Sequence, residues 1–283
     1  MRRFISILLA VLMVLTICAF AASCNNEDDN NDYLKVKKAG VLKVGMECNY
    51  APFNWTQAKS SETAVALSAG GYADGYDVRI AQKMADALGV KLEIVKLEWE
   101  GLIDALQSGV IDCIIAGMSA TEDRKLSIDF TVNYYTSELV VVVPVDSAYK
   151  NATSIKDFAG AKITGQLGTF HYDVIDQMTG AVKVNAMNDF PTMIIALQAG
   201  TIDGYVSELP GAISAQTANN NITYVQFAQG QGFNASEDDI SVAIGIRKGS
   251  ELAVYLNTAL EAITEKERVE IMNWAVANQP VVE

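Results

Sequence analysis

The sequence is poor in the residues that metal sites and histidine-dependent catalysis need. Its 283 residues include four cysteines and a single histidine, His171. Zinc sites draw on clusters of such residues at short spacing, and the sequence contains no cluster of that kind. His171 has no G-x-S-x-G sequence to serve as a triad partner, and no Walker motif for ATP hydrolysis is present. The sequence therefore predicts neither a metal nor a cofactor.

Positive charge is also scarce. Lysine and arginine number 21 against 34 acidic residues, which gives a net charge of −13. This balance argues against nucleic acid and against an anionic surface as a partner. Apolar residues make up 50% of the chain, enough for a sizeable core. About 250 residues follow the N-terminal segment, more than one ordinary core holds, so we expect two domains or lobes.

The N-terminus has the layout of a bacterial secretory signal. Two arginines precede an apolar run from Phe4 to Phe20, which is followed by small residues and Cys24. About 20 apolar residues could instead form a membrane-spanning anchor, but the small residues and the cysteine favour cleavage. They resemble a lipoprotein signal, in which Cys24 is acylated and becomes the new N-terminus, although Ala21 stands where leucine is usual. We predict a signal peptide at 1–23 and a solvated acidic tether at 24–32.

Strand-like and helix-like segments alternate from residue 41 onward. The first series places strands at 41–46, 91–97 and 111–116 and helices at 77–88 and 102–107. This β-α-β-α-β order predicts an α/β fold with a parallel sheet and helices on both faces. Residues 56–73 lack periodicity and are predicted to form an inserted loop or hairpin.

A second series of strands and helices, including a helix at 169–178, echoes the first. LIDALQSGVIDCIIAG at 102–117 matches MIIALQAGTIDGYVSE at 193–208. Helix-turn-strand units are common in α/β proteins, which is one explanation of the match. Two lobes of similar build, each with a strand that ends at a shared cleft, are the simplest account. We predict lobe 1 as residues 33–135 plus 240–283 and lobe 2 as residues 136–239.

Four stretches of the chain carry a family resemblance. They are VLKVGMECNYAPFNW, GYDVRIAQKMADALG, WEGLIDALQSGVIDCIIAGMSATEDRKLSIDFTVNYY, and ITGQLGTF together with GTIDGYVSELP. They resemble the substrate-binding proteins of ABC importers for polar amino acids, such as glutamine-, histidine- and lysine/arginine/ornithine-binding proteins. The resemblance implies a two-lobed periplasmic-binding-protein fold, or Venus flytrap, in which each lobe is a mostly parallel sheet flanked by helices. Two hinge strands, near 133–137 and 237–241, would join the lobes.

Arg124 is predicted to hold the carboxylate of an amino acid. A guanidinium offers a carboxylate two parallel charge-assisted hydrogen bonds. Arg124 follows a strand end and stands at the start of a helix-like stretch, where backbone N–H groups also point outward. A single arginine is more often a solvated surface residue, but the position three residues after Thr121 favours binding.

The resemblance assigns further residues to the two ends of a zwitterion. It implies that Gly117 and Ser119, including the Ser119 hydroxyl, line the carboxylate end. It also implies that the second lobe offers N–H groups there, from the run Gly168, Thr169 and Phe170. The ligand ammonium would meet Glu208, five residues after Asp203, where aspartate is more usual. Asp203 itself is predicted to be structural.

The resemblance also implies a side-chain pocket. Tyr50 and Trp99 would sandwich the aliphatic stem of the ligand, although either could be ordinary core. Both fall at the C-terminal ends of strands, which is the ligand side of an open parallel sheet. Glu47 would meet the tip of the ligand side chain, and Gln166 would add a polar contact. A carboxylate at that place suits an amide or a cationic tip.

The predicted function is capture of a free L-amino acid, basic or amide, for delivery to an ABC permease and its ATPase subunit. We expect a monomeric lipoprotein, held by its lipid on the outer face of the cell membrane or in the periplasm, that is not an enzyme. One alternative is a dehydratase-like enzyme of the same fold, with Glu208 or Glu47 as general acid. Another is a ligand-sensing or adhesive lipoprotein that feeds no transporter.

Two cysteines, Cys48 and Cys113, fall in the folded part of the sequence, whereas Cys18 lies in the signal. Export permits a disulfide between them. In the implied fold their strands are parallel neighbours, and Cys113 lies several residues lower than Cys48. At about 3.3 Å per residue, this offset exceeds the Cα separation of roughly 7 Å that a disulfide allows. We therefore predict two free thiols.

Overall fold

The computed structural model describes residues 31–280. The predicted signal peptide, Cys24 and all but the last two residues of the predicted tether lie outside the described residues. Within residues 31–280, no helix combines the length and the hydropathy that crossing a membrane requires.

The described chain opens with helix α1, Asp32–Ala39, which the side chain of Asn31 caps at its first turn. Asp32 is buried, and it accepts hydrogen bonds from Arg247 Nε at 2.8 Å and from the Ser250 hydroxyl at 2.7 Å. The tether prediction was wrong at its last residue, because Asp32 is paired inside the fold rather than solvated.

The first lobe continues with eight strands and three helices. Helix α2 buries its apolar face, and Gly89 ends it in the left-handed conformation, with φ of 63°. The elements are β1 (Val41–Met46), β2 (Asn49–Tyr50), β3 (Asn54–Gln57), β4 (Val65–Ala66), β5 (Tyr72–Asp74), α2 (Tyr76–Leu88), β6 (Lys91–Lys96), α3 (Leu102–Gln107), β7 (Cys113–Ile114), α4 (Glu122–Ser127) and β8 (Asp129–Thr136).

The second lobe follows, and the chain then returns to the first. The helix predicted at 169–178 is a four-residue α-helix, α5, followed by a 3-10 helix over Val174–Gln177. The elements are β9 (Leu139–Pro144), β10 (Lys162–Thr164), α5 (Phe170–Asp173), β11 (Val182–Lys183), α6 (Phe190–Gln198), β12 (Gly204–Glu208), α7 (Leu209–Ala218), β13 (Ile222–Val225), α8 (Glu237–Ile240), β14 (Ser241–Ile246), α9 (Leu252–Glu261) and α10 (Glu265–Asn278).

Each lobe is built on a mixed five-stranded sheet. The first has the order β6-β1-β7-β14-β8, in which β6, β1 and β7 are parallel and β14 is antiparallel to both of its neighbours. The second has the order β11-β10-β12-β9-β13, in which β11, β10 and β12 are parallel and the last two strands pair antiparallel. The predicted parallel β-α-β cores and the two-lobed α/β fold are thus confirmed.

The sequence match between the two lobes corresponds to the same pair of hydrogen bonds in each lobe. In the first lobe, the Asp112 carboxylate accepts a hydrogen bond from the Lys43 amide at 2.8 Å, and the Asp112 amide donates to the Lys43 carbonyl at 2.8 Å. Asp203 makes the same two bonds with Lys162 in the second lobe, at the same distances. The structural role predicted for Asp203 is confirmed, since it fixes the entry of β12 beside β10.

The segment predicted as a loop or hairpin takes part in a small antiparallel sheet of order β2-β3-β5-β4. The Asp74 carboxylate, at the end of β5, accepts hydrogen bonds from the hydroxyls of Ser61 and Thr63. These bonds hold the polar segment against the first lobe. The hairpin interpretation is therefore confirmed.

The lobes are connected where β8 passes into β9 and where α8 passes into β14. The Ser137 amide donates to the Ile240 carbonyl at 2.9 Å, and the Thr136 and Ser241 hydroxyls lie 2.8 Å apart. The prediction of a strand at 237–241 was wrong for its first four residues. They form helix α8 because Ser236 and an aspartate three residues later make a capping box.

Both cysteines of the folded region are free and buried, as predicted. Val44 on β1 is paired with Cys113 on β7, so Cys48 lies four residues farther along its chain. The offset keeps the two sulfur atoms apart, at about 3.3 Å per residue.

Candidate functional site

A cavity lies between the lobes, where the carboxyl ends of the parallel strands meet. Its free volume is about 20 Å³, enough for roughly one water molecule, so the two lobes are nearly closed on each other in this structure. Eight of the ten ligand-contact residues predicted from sequence line it, together with His171. The lining residues are Tyr50, Trp99, Gly117, Ser119, Arg124, Gln166, Thr169, Phe170 and His171.

Arg124 bridges the two lobes. It lies in the first turn of α4, and its guanidinium donates to the Ser119 carbonyl at 2.9 Å and to the Gly168 carbonyl of the second lobe at 3.2 Å. Its centre lies 5.0 Å from the ring of Trp99, which also donates to the Gly168 carbonyl, at 3.3 Å. Burial lowers the pKa of Arg124 to about 10, so the group stays protonated at neutral pH. In the part of the chain that the structure describes, it forms no ion pair with a carboxylate.

Glu47 meets the second lobe through Gln166. The Gln166 amide donates to the Glu47 carboxylate at 2.8 Å and to the Asn188 carbonyl at 2.9 Å. Glu47 is only 2% exposed. Burial raises the pKa of Glu47 to about 7, and the bond from Gln166 opposes this rise. Among the charges around it, Asp189 raises the pKa further and Lys96 lowers it.

Glu208 and His171 form a second polar group in the cleft. Glu208 ends β12 and is 1% exposed, and its Oε1 lies 3.5 Å from Nε2 of His171. Its other oxygen, Oε2, has no hydrogen-bond partner among the described residues, and neither does Nδ1 of His171. His171 was not predicted as a site residue, although its place directly after Phe170 in the cleft-facing segment was a usable signal.

Tyr50 closes the cavity from one side. Its ring stacks on Phe190 of the second lobe with centroids 4.3 Å apart, and its hydroxyl has no partner within residues 31–280. Gly117 lies against this ring with φ of 61°, and a Cβ there would come within 2.9 Å of the ring. Phe190, rather than Trp99, therefore faces Tyr50, and the sequence interpretation missed it. Phe190 begins a helix after a polar turn, as many core residues do, so nothing in the sequence marked it as a site residue.

Two hydroxyls of the predicted site have partners inside the protein. The Ser119 hydroxyl donates to the Asp239 carbonyl at 3.0 Å, and the Thr169 hydroxyl donates to the Gln166 carbonyl at 2.7 Å. Ser119 lines the cavity while its hydroxyl is bonded to helix α8, so the predicted contact of that hydroxyl with a ligand stays a prediction. Both hydroxyls order the loops that carry them.

The residues around this cavity include charged groups of both signs, and among the described residues they form no metal centre. Across residues 31–280, no group of three or more His, Cys, Asp or Glu side chains is placed to hold a metal ion. The Arg124 guanidinium and the His171 imidazole line the cavity. The two buried carboxylates, Glu47 and Glu208, do not line it themselves, but each lies against a residue that does, Gln166 and His171 respectively. Such a set binds an anionic and a cationic group at the same time.

Comparisons with known proteins agree with this geometry. The family model described as bacterial extracellular solute-binding proteins, family 3, matches residues 42–273. A probable histidine-binding protein of Campylobacter jejuni is 30% identical over 243 residues, which cover 84% of this chain and 87% of the relative. The L-cystine-binding protein TcyJ of Escherichia coli is 28% identical and covers 83% of this chain and 80% of the relative.

A solved structure shows the same fold. An amino acid ABC transporter substrate-binding protein from Streptococcus pneumoniae, bound to L-arginine, superposes with a TM-score of 0.77 at 25% identity. The match covers 88% of this chain and 98% of that chain.

Replacing Glu47 with glutamine is expected to stabilise the ligand-free protein at pH 8. Its folded pKa of about 7 exceeds the ordinary 4.5, so the unfolded state binds fewer protons between these values and stability falls as pH rises through that window. The amide keeps the bond from Gln166 without the charge. The expected gain is up to about 3 kcal/mol at pH 8, from about 1.4 kcal/mol per pKa unit, and it vanishes near pH 4.5.

Urea unfolding of the wild type and Glu47→Gln at pH 8 and pH 5 measures this difference. Glu93→Gln, on the exposed side of β6, is the matched control and should change stability little at either pH. Equal stability of wild type and Glu47→Gln at pH 8 would mean that Glu47 is hydrated in the ligand-free protein.

Proposed function

The chain belongs to the bacterial extracellular solute-binding proteins, family 3, and we propose that it captures a free L-amino acid between its two lobes for an ABC permease. The ligand would be a polar amino acid, with a basic side chain favoured over an amide. In this proposal the protein binds its ligand without chemical change and acts as a monomer beside the permease and its ATPase subunit.

A cluster of unpartnered buried polar atoms carries the proposal. Five buried side-chain polar atoms lack a partner among the described residues, and three of them lie in the cleft: Tyr50 Oη, His171 Nδ1 and Glu208 Oε2. Buried polar atoms in folded proteins nearly always have partners, so a concentration of exceptions calls for a ligand. An ammonium group beside Glu208 would supply donors to the carboxylate where the protein offers too few.

Arg124 supports the opposite end of the same ligand. Its guanidinium is partly buried and bonds to carbonyl oxygens rather than to a carboxylate. A ligand carboxylate would replace the Gly168 carbonyl with a charge-assisted, two-pronged interaction, which is stronger than a bond to a neutral acceptor. Arg124 and Glu208 would then grip the two charges that every free amino acid carries.

Glu47 and Gln166 favour a basic side chain at the far end of the pocket. The Glu47 carboxylate is shielded from water and bonds only to Gln166 across the cleft. A cationic tip would stabilise its charged form, whereas a neutral amide would leave most of its desolvation uncompensated. The relative named as a probable histidine-binding protein and the arginine-bound neighbour support this choice. One relative is named for L-cystine, whose far end carries a second ammonium group, so such a group at the end of the ligand is compatible with the proposal.

Ligand would act by replacing contacts that already join the lobes. Three hydrogen bonds cross the cleft directly. One joins Gln166 to Glu47, and the other two join the Gly168 carbonyl to Arg124 and to Trp99. A ligand that meets both lobes favours the closed form by its higher affinity for that form. Closure would then present a ligand-dependent surface to the permease.

Removing the guanidinium is expected to abolish amino-acid binding. The test is a thermal-shift screen of the twenty amino acids and L-cystine. A ligand present at a hundred times its Kd raises the free energy of unfolding of the protein by about 2.7 kcal/mol. At about 2–4 °C per kcal/mol, the melting temperature should rise by roughly 5–10 °C. Arg124→Ala should lose this shift, because an unpaired buried carboxylate costs about 2–5 kcal/mol, or 30-fold or more in Kd.

Lys266→Ala, on the exposed side of α10, serves as the control and should bind like the wild type. Circular dichroism should show Arg124→Ala folded. Affinity within a few-fold of wild type in Arg124→Ala would exclude the carboxylate assignment, and a screen in which only sugars or peptides stabilise the protein would exclude the proposed ligand class.

The pH dependence of affinity separates a basic ligand from an amide. A cationic tip needs ionised Glu47, whose pKa in the ligand-free protein is about 7. Binding L-arginine below that pH must release a proton, so its Kd should rise about tenfold from pH 8 to pH 6. L-glutamine has the same zwitterion ends but an uncharged tip, so its Kd should change little over the same pH range.

Isothermal titration calorimetry in two buffers of different ionisation enthalpy measures both the affinity and the protons released. Glu47→Gln should remove the pH dependence for L-arginine. A pH-independent Kd for L-arginine in the wild type would place its side chain away from Glu47.

Membrane attachment is part of the proposal and rests on the sequence at Cys24. Cells given radiolabelled palmitate should label the wild-type protein, which should sediment with membranes. Cys24→Ser should take up no label and should leave the membrane fraction, because the acylated residue is gone. Cys18→Ser, the same exchange inside the apolar run of the signal, is the matched control and should be labelled like the wild type. Labelled Cys24→Ser, or an unlabelled wild type, would contradict lipid anchoring.

A further inference from the structure

Two loops that face the cleft have left-handed backbone at one residue each. Gly117 has φ of 61°, and Cys48 has φ of 58°, the only positive value at a non-glycine residue among the described residues. Such a conformation costs a non-glycine residue about 1–3 kcal/mol and persists only where surrounding contacts impose it. Cys48 directly follows Glu47, and Gly117 lies against Tyr50. The contacts that impose these conformations therefore place ligand-facing side chains.

A buried chain of hydrogen bonds connects the two loops. From one end, the Cys48 amide donates to Asn54 Oδ1 at 2.7 Å, and Asn54 Nδ2 donates to Asp77 Oδ2 at 2.8 Å. From the other end, the Gly117 amide donates to the Tyr134 hydroxyl at 3.2 Å, and that hydroxyl donates to Asp77 Oδ1 at 2.8 Å. The side chains of the three intermediate residues are fully buried.

The direction of every bond in this chain is fixed from its ends. A backbone N–H can only donate, so Asn54 and Tyr134 must each accept from their loop and pass a donor onward. The two donors converge on Asp77, which must accept on both oxygens. An ionised carboxylate does this, whereas an amide offers one acceptor and one donor. Asp77 is therefore the single point at which the two relays can meet.

We propose that Asp77 is a positioning residue for ligand binding, which holds the Cys48 loop and the Gly117 loop in one fixed relation through these two relays. The proposal rests on the proposed function, since the loops carry Glu47 and Tyr50 to the ligand. Asp77 is not itself among the residues that line the cavity. Its own backbone is held independently, because its amide donates to the Phe53 carbonyl at 2.7 Å in the first turn of α2.

The decisive variants are Asp77→Asn and the exchanged pair Asn54→Asp with Asp77→Asn. The single variant leaves one buried donor without an acceptor, because two amides now lie side by side. The exchanged pair moves the carboxylate, which accepts on both oxygens, from position 77 to position 54, next to Cys48 in the network. The new carboxylate at position 54 accepts from the Cys48 amide and from the amide at position 77, whose oxygen accepts from Tyr134. Every bond of the network is thereby restored.

Affinity for L-arginine, measured by calorimetry, is the first readout. Asp77→Asn should weaken binding about tenfold, the expected scale for one buried unpaired donor. The exchanged pair should return to within about twofold of wild type. A merely structural role for Asp77 predicts no such recovery, because the exchange moves a buried charge without regard to the loops. Failure of the pair to recover therefore overturns the proposal.

Amide hydrogen exchange in the ligand-free protein, followed by NMR, is a second readout that needs no ligand. Asp77→Asn should speed exchange at both Cys48 and Gly117, and the exchanged pair should slow it again. Tyr134→Phe should speed exchange at Gly117 alone, because the Asn54 arm stays complete. Amides of β12 in the other lobe should keep their rates. Equal acceleration across the whole first lobe would instead show general loss of stability and overturn the proposal.

These readouts separate the two levels of inference. If wild-type protein does not bind L-arginine or any other amino acid, the proposed function fails while the exchange pattern still decides the role of Asp77. If Asp77→Asn does not fold, Tyr134→Phe and the exchanged pair still provide the comparison at Cys48 and Gly117.

Discussion

Loss of water in the cleft is the constraint on which the rest of the structure depends. When the lobes meet, each polar group at the strand ends loses its hydration and needs a partner from the other lobe. Gln166 provides one for Glu47, and the Gly168 carbonyl provides one for Arg124. Glu208 and Tyr50 keep buried atoms without partners within the described part of the chain. The closed form is thus incomplete without further atoms, and this incompleteness gives a ligand its influence over the lobes.

The same constraint explains why a binding cleft can contain a carboxylate with a pKa near 7. Burial alone disfavours the charged form of Glu47. In the proposed function a cationic ligand tip would pair with that charge, so binding would relieve the cost that burial of Glu47 imposes on the ligand-free closed protein. Stability and affinity are therefore opposed at this position, as is common where a site is held ready for its ligand.

Sequence periodicity predicted the parallel cores of both lobes, because each β-α-β unit has a local pattern. The match between residues 102–117 and 193–208 proved to be physical, since Asp112 and Asp203 make the same paired bonds to a neighbouring strand. Eight predicted site residues meet at one cavity because strand ends are readable from sequence. Helix α8, the stack of Phe190 on Tyr50 and the pairing of His171 with Glu208 were not predictable in this way. Each depends on which residues the packing of the two lobes brings together.

The pairing of Asp32 has a mechanical consequence. Helix α1 is fastened to the first lobe alone at this point, through Arg247 and Ser250. The first described helix therefore belongs to that lobe, not to the segments that join the lobes. If the protein is anchored through Cys24 as proposed, the first lobe would be the one held at the membrane, and closure would move the second lobe relative to it. The Asp32–Arg247 ion pair would then be the first contact within the fold that transmits any force from that anchor.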